Sequence, residues 1–231
     1  IDRRIGNGTQ DITEGPAMPR EAACRAILAG VELVREQQAQ GVRLLATGEM
    51  GIGNTTTAAA VACALLGRTP EELAGRGAGL SDEGLARKRR AIRAALEINR
   101  PDARDPVGVL AGVGGYDLAG LCGVFLGGAL CRIPVLVDGA ISAAAALCAV
   151  RLCPQAACAV FATHQSAEPA GGLLLRVLEK RPFLQAEMRL GEGTGAVAAM
   201  PLLDMALAVY NGSTFTDYGM EPYTPQGDAS C

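Results

Sequence analysis

Residues 44–60, LLATGEMGIGNTTTAAA, decide the fold: an apolar run ends in a glycine loop, and the loop opens at once into an alanine-rich helix. Gly48, Gly51 and Gly53 let the backbone turn tightly and approach a ligand, because no Cβ stands in the way. Asn54 and Thr55 stand at the helix start, where unpaired N–H groups and the positive end of the helix dipole favour an anion. The loop also carries a carboxylate, Glu49. A phosphate cradle with an acid in it points to chemistry on a phosphorylated substrate. The plain alternative is a tight strand-to-helix turn of any α/β protein.

Gly48 to Thr55 has the frame G-x-x-x-x-G-K-[ST], except that the lysine position holds Asn54. The lysine of that loop reaches the β- and γ-phosphates of a nucleoside triphosphate. Its absence argues against ATP or GTP hydrolysis and for a monophosphate or phosphoribosyl group.

Outward from this loop, strands and helices alternate. Pro19 opens a segment with Ala23, Ile27, Val31 and Val34 on one face, the period of an amphipathic helix. The preceding residues are rich in turn formers and read as irregular. Residues 42–47 read as a buried strand and 55–66 as the helix after the loop. A second glycine cluster, Gly75, Gly77 and Gly79, precedes Ser81-Asp82-Glu83, a helix N-terminal signature whose helix continues to residue 98. Pro106 opens a short segment, and Gly114-Gly115 separates it from a small-residue helix at 117–131. Residues 133–137 form a β-type run ending in Asp138-Gly139, followed by a helix at 141–152 and a strand at 157–163. Such alternation over short loops predicts an α/β fold of three layers, a mostly parallel sheet covered by helices on both faces.

Ligands of such sheets bind beyond the carboxyl ends of the strands. Three strand exits carry polar groups here: 47–49, 138–139 and 163–169. The motif RLGEGTG at 189–195 also leads into an alanine-rich helix. Four loops with acids, hydroxyls and glycines converge on one rim, and the pattern leaves open which acid acts.

Composition sets the wider bounds. The 231 residues are 49% hydrophobic and only 3% aromatic, with no Trp, which suits helices packed closely on a sheet. A net charge of −3 gives no basic footprint for nucleic acid. The eight cysteines include no C-x-x-C pair, so no metal site is read; most sit among Ala, Leu and Val as reduced small hydrophobes, pointing to the cytoplasm. The apolar stretch 118–150 is divided by Arg132, Pro134 and Asp138 into pieces shorter than the ~20 residues of a spanning helix, so no membrane segment is expected. The tail after Tyr218 contains Pro222 and Pro225 and reads as loose.

GEMGIGNTTTAAA, GLSDEGLARKRRAI, RIPVLVDGAISAAAA, SAEP and MRLGEGTGA occur in that order. Together they resemble the nicotinate-nucleotide–dimethylbenzimidazole phosphoribosyltransferase family from Gly6 to about residue 215. The resemblance implies transfer of phosphoribose from nicotinate mononucleotide to 5,6-dimethylbenzimidazole, with inversion from β to α and no cofactor. It implies Glu192 as the general base and Glu49 as a second acid near the ribose and incoming base. Gly51, Asn54, Thr55, Gly77 and Lys88 would hold phosphate and ribose, with Ser166 in the same pocket.

The residue chemistry is consistent with those roles. Nicotinate leaves from a pyridinium nitrogen and needs no proton, whereas the incoming azole needs a base. Each residue also has a structural alternative: Glu192 as a helix N-terminal acid, Glu49 as a partner of loop amides, Lys88 within the basic run 87–90 as part of a solvated face. Asp138 reads as a structural cap and His164 as either a hydrogen-bonded loop residue or a substrate contact. The resemblance further implies a homodimer, for which the small-residue helix 117–131 offers a packing face. It implies a catalytic region at 1–218, a tail at 219–231, and a missing N-terminal part of a smaller helical domain that leaves the benzimidazole pocket open on one side. After SAEP the family usually has Gly-His, where this chain has Ala170-Gly171-Gly172.

Overall fold

A computed structural model describes residues 1–221 and 224. Three parallel strands, β1 (Leu45–Ala46), β2 (Val135–Val137) and β3 (Val160–Ala162), form a sheet in the order β1-β2-β3. Leu45 pairs with Val135, and Val135 in turn with Val160. All three residues of β2 are buried. Successive side chains of a strand point to opposite faces, so both faces of β2 are covered, as expected of a parallel sheet. This is a helix-rich α/β fold.

The strands are shorter than the apolar runs suggest. Residues 157–159 belong to a 3₁₀ helix, Pro154–Ala159, rather than to β3. The run 42–47 contributes only two paired residues, and Ala46 is exposed; β1 is an edge of this sheet, so the expected burial of that strand fails there.

The helices follow their local signals. α1 (Arg20–Ala39) begins directly after Pro19 and buries Ala23, Ile27 and Val34. α2 (Asn54–Leu66) starts at the glycine loop, followed by a short α3 (Pro70–Leu73) with a Thr69/Glu72 capping box. α4 (Asp82–Asn99) is capped by Ser81, whose Oγ accepts from the Gly84 amide at 3.2 Å. α5 (Pro106–Val113), α6 (Tyr116–Cys131) and α7 (Ala140–Leu152) are followed by α8 (Pro169–Val177), which starts at the proline of SAEP. α9 (Thr194–Tyr210) follows the GEGTG turn, and a 3₁₀ turn spans Phe215–Tyr218.

The glycines of α6 find their use within the chain. A Cβ at Gly123 would lie 1.9 Å from the carbonyl oxygen of Ile27, and one at Gly30 would lie 2.1 Å from that of Gly120. Around Gly123 and Gly127 the small-residue face of α6 is therefore occupied by α1, while a Cβ at Gly120 would meet nothing within 4 Å. Residues 1–19 lack regular elements but are docked, with the amides of Ala17 and Met18 bonding to the carbonyls of Gly112 and Ala111.

Cys63, Cys122, Cys131 and Cys148 are buried, and burial pushes the thiols of Cys63 and Cys148 up to about 12. They behave as small hydrophobes. Cys231 and most of the 219–231 tail lie outside the described residues. Among the described residues no helix is long and apolar enough to cross a membrane. Two compact units are distinguished, Ile1–Ala199 and Met200–Cys231; the strands and all the residues of the candidate site belong to the first.

Candidate active site

The strand exits open into a cleft of about 1030 Å³. Seven of the eight residues singled out from the sequence line it: Glu49, Gly51, Asn54, Thr55, Gly77, Ser166 and Glu192. The eighth, Lys88, stands behind the wall.

Glu49 and Glu192 belong to loops 143 residues apart (192 − 49) that lie backbone against backbone. A Cβ on Gly48 would fall 2.6 Å from the Gly193 nitrogen, and one on Gly191 would fall 3.1 Å from the Oε1 of Glu49. Glycine is what permits this approach. Glu192 is exposed, but it sits beside the glycine bend, at the mouth of the cleft. Its φ of 57° lies between those of Gly191 at 77° and Gly193 at 80°, a run of left-handed conformations.

Glu49 is half-buried, and its carboxyl is raised above the usual range, first by burial and then by the charges of Asp117, Asp138 and Glu192. A hydrogen bond from the Asn54 amide opposes that rise. The same buried amide donates to Asp117 at 3.0 Å, so Asn54 separates two acids that would otherwise repel. In place of a P-loop lysine this loop has a neutral donor aimed at its own Glu49 and at Asp117 of α6.

The α2 N-terminus lines the same cleft; Gly53 is its cap residue and no side chain caps the helix. Lys88 is buried, unlike its neighbours in the basic run. Its ammonium donates to the Thr55 Oγ1 at 2.9 Å and to the Gly75 carbonyl at 3.0 Å, tying α4 to the first turn of α2. Burial lowers its pKa, with the charge of Glu168 acting against that. Gly77, at φ 55°, packs on Thr55, since a Cβ there would lie 2.9 Å from the Thr55 Oγ1. Its amide donates to the Glu168 Oε1 at 3.0 Å. Ser166 is buried and accepts from the Glu168 amide at 3.3 Å.

Three participants were not among the residues singled out from the sequence. Asp138, read as a structural cap, is one: buried at the exit of β2, it accepts from three amides of the turn after Glu192. Its position at a strand exit was the available signal. Asp117 and Glu168 act through partners 63 and 91 residues away; Glu168 stands in the SAEP strand exit, whereas no local pattern announces Asp117. His164 is 4% exposed and lines the cleft, with its Nδ1 3.2 Å from the Thr163 hydroxyl; burial lowers its pKa. Among the described residues no group of three His, Cys, Asp or Glu is placed to hold a metal ion.

The arrangement brings carboxylates and the start of α2, backed by a buried ammonium, into one cleft. The first suits a proton acceptor and developing positive charge; the second suits an anion.

A family model described as "Phosphoribosyltransferase" matches residues 1–220. A protein of Acetivibrio thermocellus named nicotinate-nucleotide–dimethylbenzimidazole phosphoribosyltransferase is 50% identical over 227 residues, 98% of this chain and 65% of its own length. A protein of the same name from Ruminiclostridium cellulolyticum is 48% identical over 226 residues, covering 97% of this chain and 64% of its own length. The crystal structure of CobT from Thermus thermophilus superposes with a TM-score of 0.90 at 44% identity, over 96% of this chain and 66% of that one. The chain thus spans about two thirds of the length of these relatives.

Proposed function

The chain belongs to the phosphoribosyltransferase family matched over residues 1–220, and from that premise we propose that it transfers phosphoribose from nicotinate mononucleotide to 5,6-dimethylbenzimidazole. The products are α-ribazole 5′-phosphate and nicotinate, which places the reaction in assembly of the cobalamin lower-ligand nucleotide. The observation that carries this reading is the contact of the Glu49 and Glu192 loops through Gly48, in one cleft with the α2 N-terminus.

In the proposed reaction the phosphate sits at the α2 start, near Gly51, Asn54, Thr55 and Gly77, with Lys88 setting the Thr55 hydroxyl from behind. Ser166 lines the same pocket. Glu192 takes the proton from one benzimidazole nitrogen while the other attacks C1′. The C1′–N bond to nicotinate breaks with its electron pair going to the pyridinium nitrogen, which leaves neutral at the ring. Glu49 supports positive charge building on the ribose. The exposure of Glu192 fits a group that must meet an incoming base, and its loop neighbours keep it within reach of the sugar. We assign the chemistry to residues 1–218, with 219–231 as a tail outside it, in a cytoplasmic homodimer. Sedimentation showing only monomer at micromolar concentration overturns the last point.

The test is incubation of the purified chain with nicotinate mononucleotide and dimethylbenzimidazole, with separation of nicotinate and α-ribazole 5′-phosphate. Turnover is expected, and Glu192→Gln is expected to reduce it by about 10²–10⁴-fold, the usual contribution of a positioned base. Nucleotide binding without nicotinate release overturns the reading for this chain. Near-normal turnover in Glu192→Gln overturns the assignment of the base.

A further inference from the structure

The turn that presents Glu192 has no side-chain cap of its own, yet its amides are paired. The Oδ2 of Asp138 accepts from the Gly193 amide at 2.9 Å, and the Oδ1 accepts from the amides of Gly195 at 2.7 Å and Ala196 at 3.2 Å. A carboxylate at the end of β2 thereby caps a helix that starts 56 residues later (194 − 138). Asp138 is 1% exposed and is itself fixed, because its amide donates to the Thr47 Oγ1 at 3.2 Å and that hydroxyl donates to the Leu136 carbonyl at 2.7 Å.

Two further contacts close the turn in. A Cβ at Gly195 would lie 1.9 Å from the Nδ1 of His164, so the imidazole forms one wall, and the Gly48 backbone forms another. Within these walls Gly191, Glu192 and Gly193 hold three consecutive left-handed conformations. A residue with a Cβ adopts that region at a cost that its surroundings must offset. The amide bonds to Asp138 are the directional part of that offset.

We infer that Asp138 is the positioning residue for Glu192: its carboxylate holds the 193–196 turn so that the acid stands over the sugar rather than swinging away. The inference rests on the reading of Glu192 as the base. It differs from a purely structural cap in one respect, because its effect on turnover must pass through the Glu192 side chain.

The test compares the wild-type chain with Asp138→Asn, Glu192→Gln and the double variant. Asp138→Asn keeps the shape but replaces one acceptor oxygen with an NH₂ group facing amides. Amide exchange read by NMR is expected to speed up about 10-fold or more at Gly193, Gly195 and Ala196, with β2 amides unchanged. The kcat is expected to fall about 10- to 100-fold, with KM for nicotinate mononucleotide held within about 3-fold. In the Glu192→Gln background the same substitution is expected to change kcat by less than about 3-fold. Equal losses in both backgrounds, a loss confined to KM, or unchanged exchange at the three amides overturns the inference. If the wild-type chain releases no nicotinate, the functional reading fails, and the exchange measurement still decides whether Asp138 holds the turn. Asp138→Ser, which retains a shorter uncharged acceptor, serves in the same comparison if Asp138→Asn does not fold.

Discussion

Asn54 and Asp117 are joined across 63 residues by a 3.0 Å hydrogen bond, and the same Asn54 amide also donates to Glu49. One neutral side chain thus links the glycine loop to the start of α6 and keeps two carboxylates in register. Hydrogen bonds to charged groups contribute about 1.5–3 kcal/mol. Asn54→Ala leaves both acids without this donor, and Tm is expected to fall by about 3–10 °C in calorimetry. An unchanged Tm would show that the acids find water as readily as they find Asn54.

Lys88→Met preserves the buried stem and removes the ammonium that sets Thr55 and Gly75. Affinity for nicotinate mononucleotide, measured by calorimetric titration, is expected to weaken about 10- to 100-fold, as for loss of a charge-assisted bond. The pH dependence of stability separates burial from binding. Burial lowers the folded pKa of Lys88 below its ordinary 10.5, so the folded state holds fewer protons than the unfolded state in the window below 10.5. Wild-type stability therefore rises with pH across that window. The difference between wild type and Lys88→Met should shift in favour of wild type as pH climbs toward 10.5, and a flat difference would contradict the burial.

Glu49 gives the opposite slope. Its folded carboxyl is raised above the ordinary 4.5, so the folded state holds more protons than the unfolded one just above that pH. Stability is lost as pH rises through the window. Glu49→Gln removes the titration and keeps a carbonyl acceptor for Asn54. Thermal melts at pH 4 and pH 7 should place the variant further above wild type at the higher pH, while a gap that narrows would refute the assignment.

The crossing of α1 and α6 supplies a paired prediction. Gly123→Ala drives a methyl into the Ile27 carbonyl, whereas a Cβ at Gly120 meets nothing within 4 Å. Overpacking of this kind costs about 1–3 kcal/mol, so Gly123→Ala should lower Tm by about 3–10 °C. Gly120→Ala should leave Tm unchanged or raise it, because alanine is the better helix former by about 1 kcal/mol. Equal effects at the two positions would mean that the helices do not cross at Gly123.

Helix starts were legible in the chain because their causes are local. Pro19, Ser81 and Pro106 each act on the residues beside them, and α1, α4 and α5 begin where those signals stand. Strand lengths were not legible to the same degree. An apolar run such as 157–163 marks burial, but where pairing begins depends on β2, which lies elsewhere in the sequence, and residues 157–159 turn into a 3₁₀ helix. The site divides in the same way. Glu49 and Glu192 stand in glycine motifs that announce a special backbone, and the cleft includes both. Lys88 could not be told by composition from the arginines around it, because only the packing of α4 on α2 decides which member of the run is buried. Asp138 and Asp117 act on backbone and side-chain partners far along the chain, and neither leaves a spacing to read.

The left-handed backbone at Glu192 has an evolutionary corollary. For a residue bearing a Cβ this conformation costs about 1–2 kcal/mol relative to glycine, and both neighbours in the turn are already glycine. Selection for thermal robustness alone would complete the series, and Glu192→Gly is expected to melt higher than wild type while losing the acid. A carboxylate in such a place forgoes that gain in durability in exchange for an acid presented at the turn.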